Sequence, residues 1–356
     1  MESRSRLSII KGVLIAITVI IELFFDNFNI FLLNLISAWF PDWPATITVM
    51  LSASLWGYFY FITETMKKVH FSFSGDILEP ETGALLICNH RSLADYILLH
   101  ALSTFYGMGG RCRFLSWRSV FIIPSVRWLF SSLWVSQNWT YSNDKKRESL
   151  LSPLAKSRYW VVFFPEVIKF SLEIAHEHMR YCTSNGLPVL THCLYPRFEA
   201  FVPTMKYMLQ QSDLNIAYDV TFIYRRNDTV DIKAASSSPV PSTSSRKSRF
   251  SFRKQKQFKF NVDNKPQTTV VGASTFSPSL RDVIFSPSGS WEFHAHVERM
   301  PMYQIPDNSR GLERWLEKMW VKKDKLLDGV EKKGMSHKGL GFVYFPGDDV
   351  FEPEVS

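Results

Sequence analysis

Cysteine is scarce in this chain, and what there is stands scattered. Cys88, Cys112, Cys182 and Cys193 are the only four among 356 residues, without the close pairing that a zinc site or a dithiol redox motif requires. They read as reduced structural thiols. The pairs His176-x-His178 and His294-x-His296 lack an accompanying carboxylate and cysteine set, and a two-residue spacing shares a face only on a strand, so no metal is expected. Acidic residues are also in deficit. With 33 Asp and Glu against 41 Lys and Arg, the net charge is +8, which favours anionic partners such as phospholipid headgroups, phosphorylated cofactors or nucleic acid. The length suits one globular domain with a membrane-associated end.

Charge thins out almost completely near the start. "LSIIKGVLIAITVIIELFF" (7–25) is apolar apart from Lys11 and Glu22 and is long enough to cross a bilayer. A second stretch, "ATITVMLSASLWGYFYFI" (45–62), is shorter and rich in interfacial aromatics. Arg4 and Arg6 precede the first stretch and Lys11 stands near its start, Lys67 and Lys68 follow the second, and the connection holds Asp26 and Asp42 but no Lys or Arg. Under the positive-inside rule this describes a membrane helix or hairpin over residues 1–70 with both flanks cytoplasmic. A cleaved signal peptide is the competing reading, and the absence of a small-x-small cleavage site weighs against it.

Beyond the membrane segment, "ALLIC" (84–88), "YWVVFF" (159–164), "LPVLTH" (187–192) and "YDVTFIY" (218–224) read as buried strands alternating with helices, the pattern of an α/β domain. "EFHAHVERM" (292–300) alternates like a half-exposed strand. Residues 311–330 place Leu312, Trp315, Leu316, Met319 and Trp320 at helical spacing, an amphipathic helix packed on the sheet. The globular domain is thus expected over 71–232 and 290–335, with a tail at 336–356. Between them, 233–289 is rich in Ser, Pro and basic residues and too poor in apolar ones to build a core, so it reads as a disordered insertion. Its interleaved Arg, Lys and Phe suit an anionic lipid surface or RNA. Beside a membrane anchor the lipid surface is preferred, and a nucleic-acid partner is not expected. Ser238, Ser277 and Ser286 are each followed by Pro and are candidate phosphorylation sites.

One short stretch asks a chemical question. "NHRSLADY" (89–96) follows the first buried strand, and Ser92-x-x-Asp95 ahead of an apolar run is a capping-box pattern, with His90 then a plain loop residue. The other reading makes His90 a general base, since imidazole titrates nearest neutrality, and Asp95 the carboxylate that fixes its tautomer. A His ahead of a helix and an Asp in its first turn can meet, so the two readings are compatible.

Three later segments follow in order: "FLSWRSVFIIP" (114–124), "VVFFPEVIKFS" (161–171) and "NGLPVLTHCLYPR" (185–197). With "NHRSLAD" they resemble the four sequence blocks of the 1-acylglycerol-3-phosphate acyltransferase family, most closely the branch with lysophosphatidylinositol and lysocardiolipin acyltransferases. The resemblance covers about residues 84–330 outside the insertion. It implies a mixed central sheet flanked by helices. It also implies a membrane-bound enzyme that moves a fatty acyl group from acyl-CoA to the hydroxyl of a lysophospholipid or lysophosphatidic acid at the endoplasmic reticulum membrane, with the catalytic domain cytoplasmic. Acyl-CoA is then a co-substrate, and no cofactor is required. Direct attack of the acceptor hydroxyl on the thioester needs a base but no protein nucleophile, and His90 with Asp95 supply it in the manner of a triad without its serine.

By the same resemblance Glu166 helps to organise the site, and nearby cations hold the acceptor phosphate. Arg118, Lys169 and Arg197 are candidates, although Arg118 also reads as a surface residue and Arg197 as an anchor after its strand. Asn89 either orients the His90 loop or is ordinary turn chemistry. Two departures stand out. The family usually follows Phe-Pro-Glu with Gly-Thr and often Arg, whereas this chain has Val167, Ile168 and Lys169, and Gln137 stands where the second block commonly ends in Arg. A β-branched Val is not expected to take the positive φ that Gly permits, which predicts a reshaped turn. The alternative function is therefore a catalytically impaired relative acting as a lipid-binding or scaffold protein.

Overall fold

The chain builds an eight-stranded sheet, and the order of its strands decides where a site can form. The computed structural model describes residues 2–36, 43–116, 133–134, 140–141, 143–155, 158–226, 277–333 and 343–344. Arg118, Gln137, most of the insertion and most of the tail lie outside the described residues. Strand β1 spans His70–Gly75, β2 Ala84–Cys88, β3 Cys112–Ser116, β4 Leu133–Trp134, β5 Trp160–Phe163, β6 Ile216–Arg226, β7 Trp291–Pro301 and β8 Val343–Tyr344. The order is β4-β3-β5-β2-β6-β7-β1-β8. From β4 to β6 every neighbour is parallel, β7 is antiparallel to β6 and parallel to β1, and β8 closes the edge antiparallel. The sheet is mixed, and helices cover both faces.

Strand β2 is apolar along its whole length because both of its faces are covered. Leu86 and Cys88 turn toward helix α3 (Ala94–Phe105) and pack with Ile97, Leu98 and Leu102. Leu85 and Ile87 turn the other way, onto α6 (Phe201–Gln211) and α8 (Ser309–Lys333), among Phe201, Met205, Leu316 and Trp320. From β2 the chain proceeds to β3 and β5 on one side, and β6 pairs on the other. Such a reversal leaves a crevice at the carboxyl ends of the strands, the usual ligand position in open α/β sheets. The residues after β2 and β5, which include His90 and Glu166, emerge at that edge.

Three expectations are corrected. "LPVLTH" (187–192) is not a strand; its backbone amides at Thr191 and His192 bond to the carboxylate of Asp324 in α8 rather than to a neighbouring strand. β7 is half-exposed only in its second half: Trp291 to Ala295 are all buried, whereas His296, Glu298 and Met300 are partly exposed and Arg299 is exposed. Of the insertion, residues 277–289 fold into a short segment with helix α7 (Leu280–Phe285), started by a capping box between Ser279 and Asp282. Two further helices, α4 (Asp144–Ala155) and α5 (Leu172–Ser184), complete the domain. All described residues belong to one unit, interrupted in sequence by 228–272. The four cysteines are free and buried.

At the N-terminus α1 spans Glu2–Ile36 and α2 Trp43–Phe61, followed by one π-helical turn, Ile62–Met66. Among the described residues, only Ile10–Leu33 within α1 is long and apolar enough to cross a membrane, and little of it is buried. The second apolar stretch belongs largely to the domain: Leu55 and Trp56 of α2 are buried, and Trp56 stacks on His100 of α3 at 4.2 Å.

Beneath the carboxyl edge lies a buried ion pair. Lys323 of α8 is 1% exposed, pairs with Asp219 of β6, and donates to the carbonyls of Val220 (2.6 Å) and Ile87 (3.3 Å). Removing one partner of such a pair leaves an uncompensated buried charge, at a cost of about 3–5 kcal/mol. Lys323→Met is expected to lower the denaturation midpoint of the detergent-solubilised protein by that order, and Lys323→Met with Asp219→Asn to recover most of the loss. Equal midpoints for the single and double variants would contradict the pairing.

Candidate active site

The site grows from the end of β2. Strand β6 continues past Val220, the partner of Cys88, to Arg226, and this overhang receives the loop. Asn89 is fully buried; its Oδ1 accepts from the Phe222 amide (2.7 Å) and its Nδ2 donates to the Phe222 carbonyl (3.2 Å). Its side chain therefore mimics one more rung of the sheet and fixes the root of the loop to β6. With both polar ends engaged, Asn89 anchors the loop.

His90 comes next, with Nδ1 2.8 Å from Asp95 Oδ2. The same oxygen accepts from the amides of Arg91 (2.8 Å) and Ser92 (3.0 Å), while Oδ1 accepts from the Tyr224 hydroxyl. Asp95 is wholly buried. Ser92 Oγ accepts from the Ala94 amide at 3.0 Å, and the Asp95 amide donates to the Ser92 carbonyl at 3.2 Å. Asp95 thus completes its half of the capping box and holds His90 with the same atom. A proton on Nδ1 satisfies this contact and leaves Nε2 with its lone pair. Nε2 has no hydrogen-bond partner among the described residues. The imidazole, 12% exposed, is held in place by Phe164 (4.6 Å between centroids) and edge-on by Tyr96 (6.0 Å).

The third and fourth blocks are stitched to this loop through the backbone. The Phe170 amide donates to the His90 carbonyl (2.8 Å), and the Arg197 amide donates to the Pro165 carbonyl (2.9 Å). Arg91, 3% exposed, donates to the His192 carbonyl at 3.3 Å and lays its guanidinium over the Phe170 ring at 5.2 Å. Between them sits Glu166, 1% exposed. Its Oε1 accepts from Trp320 Nε1 at 3.2 Å, and Oε2 has no partner among the described residues. Burial pushes this carboxyl up to about 8 despite the opposing pull of Trp320, Arg91 and the Leu194 amide. At neutral pH it is mostly protonated, a donor as well as an acceptor.

Lys169, within the third block, and Arg197, at the end of the fourth, are both exposed. Arg197 contributes its amide to the scaffold, and its side chain stays at the surface. Val167 overturns the expected reshaping of the turn: it holds φ +68°, so the turn keeps a left-handed residue although the side chain is β-branched, at a cost of roughly 1–2 kcal/mol. The Val167 amide still donates to the Phe164 carbonyl at 2.9 Å. The histidine pairs fall on different elements. His176 and His178 lie on α5, where a two-residue spacing separates their faces. His294 and His296 share a face of β7, joined through Ser74 Oγ at 2.8 and 2.9 Å. Among the described residues no cluster could hold a metal ion.

The sequence reading missed the supports of the site. Arg91 lies inside the motif 89–96 without a pattern that marks it, Tyr224 and Trp320 read as core by composition, and Asp324 reads as one charge among many on its helix. Asp324 Oδ1 accepts from three successive amides, Thr191 (2.9 Å), His192 (2.6 Å) and Cys193 (3.0 Å), which fixes the fourth block. A signal existed: Lys323 and Asp324 interrupt the apolar stripe Leu312, Leu316, Trp320, Leu327 of α8, and charges on a buried face need partners.

Comparison with known proteins finds matches to two family models. A family model described as Acyltransferase matches residues 70–179, and one described as Acyltransferase C-terminus matches 284–341. A probable 1-acyl-sn-glycerol-3-phosphate acyltransferase 5 of Arabidopsis thaliana is 24% identical over 77% of this chain and 60% of its own length. The human 1-acyl-sn-glycerol-3-phosphate acyltransferase gamma is 22% identical over 76% and 56%, and the mouse epsilon protein 20% over 75% and 63%. The chain thus spans about 56–63% of the length of these relatives. The crystal structure of the 1-acyl-sn-glycerophosphate acyltransferase PlsC of Thermotoga maritima aligns over 89% of this chain and 99% of its own, with a TM-score of 0.36 and 11% identity.

Glu166 makes stability depend on pH. Its folded value, about 8, lies above the ordinary 4.5, so between these limits the folded protein binds more protons and stability falls as pH rises. Relative to Glu166→Gln, the wild-type protein is expected to lose up to about 1.4 kcal/mol per pH unit across this window, read as denaturant midpoints from pH 5 to 8. Parallel curves for the two proteins would contradict a buried, neutral Glu166.

Proposed function

As this chain belongs to the acyltransferase family that includes the 1-acyl-sn-glycerol-3-phosphate acyltransferases, we propose that it moves a fatty acyl group from acyl-CoA onto the free hydroxyl of a lysophosphatidic acid or another lysophospholipid. The observation that carries this reading is the 2.8 Å contact between His90 Nδ1 and Asp95, at the carboxyl end of β2, with Nε2 left to act as base. Nε2 takes the proton of the acceptor hydroxyl as its oxygen attacks the thioester carbonyl. Asp95, held by its other donors, stabilises the imidazolium that forms. Collapse of the tetrahedral intermediate breaks the carbon–sulfur bond, and the proton on Nε2 passes to the departing thiolate.

A neutral Glu166 suits an acceptor that carries phosphate, because a protonated carboxyl donates where an anion would repel. Lys169 and Arg197, with Arg118, are the cations assigned to that phosphate. Lys169 supplies charge without the bidentate geometry of arginine. The left-handed turn held by Val167 supports the active reading over that of an impaired relative, for which Ile168 and Gln137 remain the other departures. Ile10–Leu33 of α1 is assigned to the bilayer, which keeps the domain beside its lipid substrate, and the endoplasmic reticulum membrane with a cytoplasmic domain is the proposed location.

The test is transfer of labelled oleoyl-CoA to a panel of lysophospholipids by the detergent-solubilised protein. His90→Ala is expected to lower kcat by about 10²–10⁴-fold, the usual worth of a positioned base, and Asp95→Asn to lower it strongly through the wrong tautomer. Wild-type rates in folded His90→Ala would overturn the mechanism.

A further inference from the structure

The end of the insertion reaches the catalytic loop. Arg91 Nε donates to Ser277 Oγ at 3.4 Å, and Ser92 Oγ donates to the Pro278 carbonyl. Arg91 directly follows His90 in sequence, and Ser92 is the next residue. The segment is pinned behind as well: Lys67 Nζ donates to the Ser286 carbonyl at 2.5 Å, and the Gly289 amide to the Lys67 carbonyl at 2.7 Å. Residues 277–289 thus form a strap tied to the N-terminal region at one end and to the catalytic loop at the other.

Within this strap Ser277 has a special environment. It is half-buried, lies outside any helix or strand, and its hydroxyl is held at the outer limit of hydrogen-bond distance. Pro278 follows it, which makes the dipeptide that proline-directed protein kinases accept. Ser286, also followed by Pro, has its hydroxyl engaged by the Val283 carbonyl (3.2 Å) and Trp291 Nε1 (3.1 Å). We propose that Ser277 is a phosphorylation site through which a proline-directed kinase restrains this enzyme by way of Arg91.

The reaction transfers the γ-phosphoryl group of ATP: an oxygen–phosphorus bond forms at Ser277 Oγ, the bond to the β-phosphate breaks, ADP departs, and the hydroxyl proton goes to the kinase base. The product places close to two negative charges and three acceptor oxygens beside the Arg91 guanidinium. Charge-assisted hydrogen bonds between them fasten the strap to the catalytic loop. The same charge repels an acceptor phosphate approaching the site. The loss of activity rests on the acyl-transfer reading; the bond to Arg91 does not.

The experiment uses the full chain in detergent with Ser152→Ala, Ser238→Ala and Ser286→Ala, so that Ser277 is the only Ser-Pro serine left, treated with a proline-directed kinase and ATP. One phosphoryl group, mapped to Ser277, is expected, with at least a tenfold fall in kcat/KM for the lysophospholipid. The thermal midpoint is expected to rise by about 2–4 °C, and the rise to vanish in Arg91→Gln. Where Arg91→Gln fails to fold, Arg91→Lys replaces it and should show a smaller rise. If unmodified protein shows no acyl transfer, the enzyme reading fails while the Arg91-dependent rise is still measured by itself. No incorporation into native protein while a 270–285 peptide is labelled would overturn the proposal. So would incorporation without any midpoint change, or a rise of equal size in the Arg91 variant.

Discussion

The carboxylate of Asp95 is the contact on which the rest of the site depends. It sits without solvent at the start of α3 and accepts from an imidazole, two successive amides and a tyrosine hydroxyl. Those donors come from the loop after β2 and from the overhang of β6, so one side chain fixes loop, helix and strand together. The capping role and the proposed catalytic role do not compete, because a carboxylate oxygen has room for more than one donor. Local helix chemistry is what places the histidine partner at the right depth.

A second constraint comes from α8, far along the sequence. Trp320 bonds Glu166, Lys323 reaches carbonyls of β2 and β6, and Asp324 gathers the amides of 191–193. Each is a polar group on a face that otherwise packs apolar residues, and each stands because it has a hydrogen-bond partner. The third and fourth blocks therefore owe their positions to a helix outside all four blocks. Val167 fits the same picture: its φ of +68° persists because the surrounding bonds over-determine the turn.

Much of the fold could be read from the chain. Continuous apolar runs marked β2, β5 and β6, and helical spacing marked α8. The exceptions have physical causes. Residues 187–192 look like a strand by composition, yet their amides are claimed by a carboxylate more than a hundred residues away, which no local pattern shows. In the site, His90 and Asp95 were legible because their meeting is local. Asn89 was left between two readings because its partner, the Phe222 backbone, is a matter of sheet register. Arg91 and Ser277 meet across the insertion, a contact of tertiary structure alone.

The central claim is that Asp95 holds His90 with the proton on Nδ1 and leaves Nε2 as the base. Nitrogen-15 NMR of histidine-labelled protein, with the His90 signals identified by their absence in His90→Gln, tests it without any substrate. At a pH where the ring is neutral, the account predicts an Nδ1–H tautomer, with Nε2 showing the shift of an unprotonated ring nitrogen, and loss of that preference in Asp95→Asn. A neutral ring protonated on Nε2, or a tautomer indifferent to Asp95, would contradict it.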